Sequence, residues 1–232
     1  MKIAIMQPYF MPYIGYFQLI NAVDKFVLLD DVNYINRGWI NRNNILVNGK
    51  SNLFVVPLQD ASQNKHINEI EIVDESKWKT KLLKTIELSY KKAPYFSSVY
   101  SIIDGIINSS HSNISDFNYF ALVSICNYVG IETEIVPSSS AYKNAHLKAQ
   151  DKIIDICLAE NASVYINPIG GTELYDKNAF IGKKIELFFI KSGQVQYLQF
   201  VNEFVPWLSM IDVMMFNNVE RIKGFLNLFQ LI

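Results

Sequence analysis

Near its start the chain runs through an apolar stretch, a proline-bearing break, a helical pattern and a second apolar stretch, all within about 30 residues. No other feature restricts the fold as much. Lys2–Met6 has the composition of a short buried strand, and Gln7-Pro8-Tyr9-Phe10-Met11-Pro12 ends it, because proline cannot continue a central ladder. From Tyr13 to Asp24, Phe17, Ile20 and Val23 recur at helical spacing. Lys25–Leu29 is apolar again and is closed by Asp30-Asp31. Strand, helix and strand this close together make a βαβ unit, whose strands are parallel and whose crossover is right-handed.

Beyond this unit the pattern changes. Asn33–Asn44 is polar and carries Arg37, Trp39 and Arg42. Ile45-Leu46-Val47 and Leu53–Val56 flank Asn48-Gly49, a hairpin signal because both turn positions favour positive φ. Ile67–Val73 alternates apolar and acidic residues and predicts a half-exposed strand. Ser76–Lys92 predicts a helix with Ser76 as N-cap, Tyr95–Asn108 a second, and Asn113–Val129 a third stopped by Gly130. The α/β rhythm then returns. Ile131–Val136 predicts a strand, Leu147–Glu160 a helix, Val164–Asn167 a short strand, and Ile185–Ile190 and Val195–Phe200 two more. Leu208–Phe216 and Val219–Leu228 close the chain as helices, the second capped by Asn218. The expected fold is α/β: one domain over 1–232, a Rossmann-like parallel sheet with an inserted helical lobe at roughly 76–130.

Composition narrows the function. The net charge is −1, which disfavours a nucleic-acid footprint or a polybasic membrane contact. No apolar run approaches the ~20 residues of a membrane span. The start, MKIAIMQPYF, lacks the apolar core of a signal peptide, so the expected compartment is the cytoplasm. Cys126 and Cys157 lie in apolar, helix-like stretches and read as buried free thiols. No Cys or His spacing suits a metal, so no metal ligands are assigned.

Candidate chemistry lies where parallel strands end, because ligands of open α/β sheets bind beyond their carboxyl ends. Gln7, Tyr13, Gly15 and Tyr16 occupy the first such turn, where Gly15 admits a phosphate or another backbone; packing of the turn is the other reading. Asp30 and Asp31 end the second strand and suit Mg²⁺, a sugar or ribose hydroxyl, or a base, or else loop capping. Trp39 beside Arg37 and Arg42 suits a stacked base or sugar with a clamped diphosphate, or else a cover for the core. Histidine as a residue type suits proton transfer at neutral pH, so His146 is the first choice of base toward an amine, with Lys148 for a phosphate or carboxylate; capping and solvation are the alternative. Asn167, Gly170 and Gly171 follow a strand and can hold an anion on backbone amides, with Tyr175 nearby, or simply connect strand to helix. Ser209 and Asp212 have the spacing of a capping box.

Tyr13-Ile14-Gly15-Tyr16 resembles the His-x-Gly-His turn of nucleotidyltransferase-like (HUP-fold) adenylylating enzymes, with tyrosines in place of both histidines. That resemblance implies ATP at this turn, with Mg²⁺. Over nearly its whole length the chain resembles the WbqC-like family. The matching stretches are Gln7-Pro8-Tyr9, Pro12, Gly15-Tyr16-Phe17, Asp30-Asp31, Trp39-Ile40-Asn41-Arg42 and Pro57. They continue with His146-Leu147-Lys148, Tyr165-Ile166-Asn167-Pro168, Gly170-Gly171, Tyr175, Leu208-Ser209 and Ile211-Asp212. The resemblance implies a role in O-antigen or related surface-polysaccharide synthesis. Its expected reaction is transfer of an acyl group, glycyl or another aminoacyl, to the amine of a nucleotide-linked (dTDP-type) amino sugar. The alternatives are a nucleotidyltransferase and a non-catalytic sugar-nucleotide-binding protein of the same pathway.

Overall fold

The computed structural model describes residues 1–200 and 203–232. The first unit forms as its pattern requires: β1 (Lys2–Met6), α1 (Ile14–Asn21) and β2 (Lys25–Leu28), with Ile3 through Met6 paired in parallel to Lys25 through Leu28. β3 (Arg42–Val47) and β4 (Lys50–Val55) make the expected hairpin, with Asn48 and Gly49 both at positive φ. The alternating stretch at 67–73 is mostly not strand. Ile67–Glu69 is a 3₁₀ turn in which the Glu69 side chain accepts from the His66 amide, leaving a two-residue ladder between β5 (Leu58–Gln59) and β6 (Glu71–Ile72).

α2 (Ser76–Tyr90), α3 (Phe96–Ile107) and α4 (Ile114–Val129) follow. Ser76 is the first helical residue rather than the cap, since Glu75 holds the cap position without a side-chain bond. Asn113 caps α4, and Gly130 ends it in the left-handed conformation. Then come β7 (Glu134–Val136), α5 (Ala149–Ala159), β8 (Val164–Pro168), α6 (Lys177–Ile181), β9 (Glu186–Ser192), α7 (Met210–Phe216), α8 (Val219–Leu226) and β10 (Phe229–Leu231). No strand forms over 195–200 among the described residues; Tyr197 and Gln199 turn inward to a buried carboxylate instead of a ladder. The last helix stops two residues earlier than its pattern suggests. The chain end, unforeseen, adds β10 antiparallel to β9.

The six-stranded sheet has the order β7-β2-β1-β8-β9-β10, parallel except for β10. The fold is therefore a Rossmann-like α/β fold. Successive strand residues face opposite layers. Ile3, Ile5, Val27, Tyr165, Leu187 and Phe189 pack against Ile153, Ile156 and Cys157 of α5 and Phe180 of α6. Ala4, Phe26, Leu28 and Ile166 share the opposite, larger core with Phe17 of α1, Phe117 of α4 and Met214 of α7. The faces of α2 and α3, through Leu82, Ile86 and Ile103, join that same core. Strand order reverses between β1 and β8, so the crevice such sheets offer a ligand lies beyond Met6 and Pro168.

Candidate functional site

At the first turn, the Leu29 amide donates to Met6 O at 2.8 Å, which keeps the ends of β1 and β2 together. The buried Tyr16 hydroxyl donates to Gln7 O at 2.7 Å, and burial pushes this phenol well above the usual tyrosine range. Tyr16 thus shapes the turn from inside. Tyr13 is half-buried at the start of α1, edge-on to Trp207 at 5.9 Å between centroids. A Cβ at Gly15 would collide with the Tyr13 ring and lie 2.6 Å from Ser192 Oγ. The space Gly15 opens is therefore filled by protein, not left for a phosphate.

The Asp30-Asp31 pair is buried and fully engaged. Asp30 Oδ1 accepts from Ser138 Oγ at 2.7 Å and the Ser139 amide at 3.1 Å, and Oδ2 from Ser115 Oγ at 2.9 Å. Burial raises its carboxyl above the ordinary value, and these bonds pull it back down. Asp31 Oδ2 accepts from Lys152 Nζ at 2.6 Å, and Oδ1 bonds Ser139 Oγ; the side chains of this ion pair are 7% and 3% exposed. Every carboxylate oxygen faces a donor, and one faces an ammonium. A resident Mg²⁺ does not fit here, which corrects the expectation that this pair could hold one.

α5 joins β7 to β8, both parallel strands, so it runs back along the sheet and its start lies at the strands' carboxyl edge. His146 and Lys148 are exposed in the turn that leads into it. One turn inside, Lys152 reaches Asp31 at the end of β2, while Gln150 Oε1 accepts from the Asp176 amide at 2.6 Å. The first turn of α5 therefore bridges the end of β2 and the segment after β8. There, Asn167 is buried and accepts from the Tyr165 hydroxyl at 3.1 Å, and Tyr175 OH lies 3.3 Å from that hydroxyl. A Cβ at Gly171 would collide with Asn167 Nδ2, whereas Gly170 faces open space.

The Trp39 segment is fastened to the first turn. The Phe10 amide donates to Trp39 O at 3.0 Å, and Asn118 Nδ2 donates to both Pro8 O and Ile40 O. The indole is 45% exposed. Arg42 Nε donates to Gly38 O at 2.9 Å and closes its own loop, while Arg37 is exposed at positive φ. Gln7, Asp30-Asp31, the His146 turn and the Asn167 bend thus all lie at the carboxyl edge of the sheet, with Trp39 tied to Gln7's turn. Lys152, Ser138 and Ser139 escaped sequence reasoning. The one available signal was Lys152 standing on the apolar stripe of α5, four residues before Ile156. Also unforeseen was a cavity of about 560 Å³ on α1's side, whose lining includes the candidate site residue Tyr13.

A model of the WbqC-like protein family matches residues 7–224, a span that holds every candidate site residue from Gln7 to Tyr175. The chain belongs to the WbqC-like family. It is similar to the uncharacterized protein Rv1507c of Mycobacterium tuberculosis, strain ATCC 25618 / H37Rv. The two are 29% identical over 215 residues, which covers 92% of each chain. No solved structure matches it. Among the described residues of this WbqC-like chain, no helix is long and apolar enough to cross a membrane.

Proposed function

We propose that this WbqC-like protein forms an amide on a nucleotide-linked amino sugar destined for O-antigen or a related surface polysaccharide, with a glycyl or other small aminoacyl group as donor. The supporting observation is the β1/β8 reversal of strand order, with the exposed His146 turn placed at the same edge by α5. In this reading the sugar nitrogen attacks the activated acyl carbon, the C–N bond forms, and the donor's leaving group departs with the electron pair of the broken bond. His146 takes the proton released by the attacking amine. Lys148 attracts the carboxylate or phosphate of the donor. Asp31 acts as a positioning residue by holding Lys152 rather than by touching substrate. Trp39, with Arg37 and Arg42, stacks the base and meets the diphosphate, and Asn167 with Gly170 reads a polar edge of the ligand. When bound, ATP would supply the activation of the acyl carboxylate, and any Mg²⁺ would arrive on the nucleotide.

The test is mass spectrometry of a panel of dTDP-amino sugars incubated with the protein, ATP, Mg²⁺ and pooled amino acids. A glycyl or aminoacyl mass gain is expected. His146→Gln should lower turnover on the order of 100-fold or more with the fold intact, since the residue is exposed. Pyrophosphate release that needs only a sugar phosphate would assign a nucleotidyltransferase instead. Tight nucleotide-sugar binding without product, unchanged by His146→Gln, would assign a binding protein.

A further inference from the structure

On α1's side of the sheet, where β9 ends, the cavity of about 560 Å³ is walled by Tyr13, Ser192, Tyr197, Glu203, Phe204 and Trp207 among others. Its size is that of a small-molecule site. Two features define what it would accept. Tyr13, Tyr197, Phe204 and Trp207 supply aromatic walls, and among the described lining residues Glu203 is the one that is charged, with no lysine, arginine or histidine. Such a lining repels phosphate. It attracts an ammonium, through the carboxylate and through the negative faces of the rings.

The aromatic wall is held in place from behind. Tyr197 OH and Gln199 Nε2 each donate to Asp212 Oδ1 at 2.6 Å, and Tyr90 OH donates to Oδ2 at 2.8 Å. Gln199 also clamps Val205, accepting from its amide at 2.7 Å and donating to its carbonyl at 3.1 Å. The segment leading to Trp207 is thereby fastened to the core, yet the Trp207 indole is 71% exposed and its backbone sits at φ 62°. A bulky residue in that conformation is strained, and strain of this kind persists where the surrounding structure imposes it. The Trp207 ring is thereby held beside the cavity, its centroid 5.9 Å from that of Tyr13 at an interplanar angle of 62°.

We infer that this cavity binds an organic ammonium the size of a monosaccharide: an amino sugar whose C–H face lies on Trp207 and whose ammonium meets Glu203. Gln194, Gln196 and Ser192, which also line it, supply partners for ring hydroxyls. The choice of an amino sugar among organic ammoniums rests on the transfer reading, while the cavity's lining shares none of the residues proposed for that reaction.

The experiment is isothermal titration of the full-length protein with the methyl glycoside of 4-amino-4,6-dideoxyglucose, its N-acetylated form, and thymidine monophosphate. The free amine should bind, and the N-acetylated sugar about tenfold more weakly. Glu203→Gln should remove about that tenfold for the amine and leave the N-acetylated sugar unchanged, and Trp207→Ala should weaken both. Both side chains are exposed, and matching thermal melts confirm that the variants fold. Equal binding of amine and amide, affinity unmoved by both substitutions, competition by thymidine monophosphate, or no binding of either sugar would each overturn the inference. Amine binding by a protein that shows no aminoacyl product would overturn the transfer reading alone.

Discussion

Replacing Lys152 with methionine tests whether the carboxyl edge is built on a buried ion pair. The side chains are similar in length, so the buried volume is largely kept while the ammonium 2.6 Å from Asp31 Oδ2 is removed. The remaining carboxylate is 7% exposed and retains Ser139 Oγ as its side-chain partner. Breaking a buried pair from one side costs about 3–5 kcal/mol, because an uncompensated charge is left behind. For a chain of this length that corresponds to a fall in Tm of about 6–10 °C. Lys152→Met/Asp31→Asn removes the stranded charge as well and should recover about 2 kcal/mol or more of that loss. Urea denaturation of the wild type, both single variants and the double variant gives the coupling energy directly. A Lys152→Met protein as stable as the wild type, or additive single effects, would refute the claim that Asp31 and Lys152 stabilise one another in a dry setting.

Gly171→Ala should displace the Asn167 side chain and break its bond from Tyr165, costing about 1–3 kcal/mol in a chemical melt and, if the transfer reading holds, turnover as well. Burial pushes the Cys126 and Cys157 thiols up to about 12, so neither should react with a disulfide reagent at pH 8 until urea unfolds the chain; prompt labelling of the native protein would contradict the packing. Burial also raises the Asp212 carboxyl, so folding binds a proton there. Its stabilising contribution is fully present below the ordinary carboxylate value and is lost as pH rises through the higher folded value. Asp212→Asn lacks that dependence, so its destabilisation relative to wild type should shrink as urea midpoints are followed upward from pH 4.

The elements that could be read from the chain are those set by neighbours. Proline after Met6, the helical spacing of Phe17, Ile20 and Val23, and Asn48-Gly49 each act within a few residues, and each gave the structure they predict. Which residues would stand at strand ends was legible too, because a strand end is visible locally even when its spatial neighbours are not. The failures are equally local in origin. Val195–Phe200 alternates like a strand, but its inward residues bond Asp212 instead of a ladder, and Ser209–Asp212 looks like a capping box. Ser209 does cap α7, while the Asp212 carboxylate serves Tyr90, Tyr197 and Gln199.

Local chemistry along the chain settled the βαβ start, the hairpin, most helix limits and the polar residues that strand ends would carry. Folding in three dimensions settled the rest: which strand lies beside β1, where Lys2 meets Val164; whether Asp31 is open or paired, through a lysine 121 positions away; and where a cavity forms. The physical reason is range. Backbone conformation answers to side chains within a turn or two, whereas charge pairing, burial and concavity depend on groups that meet only after the chain has closed long loops.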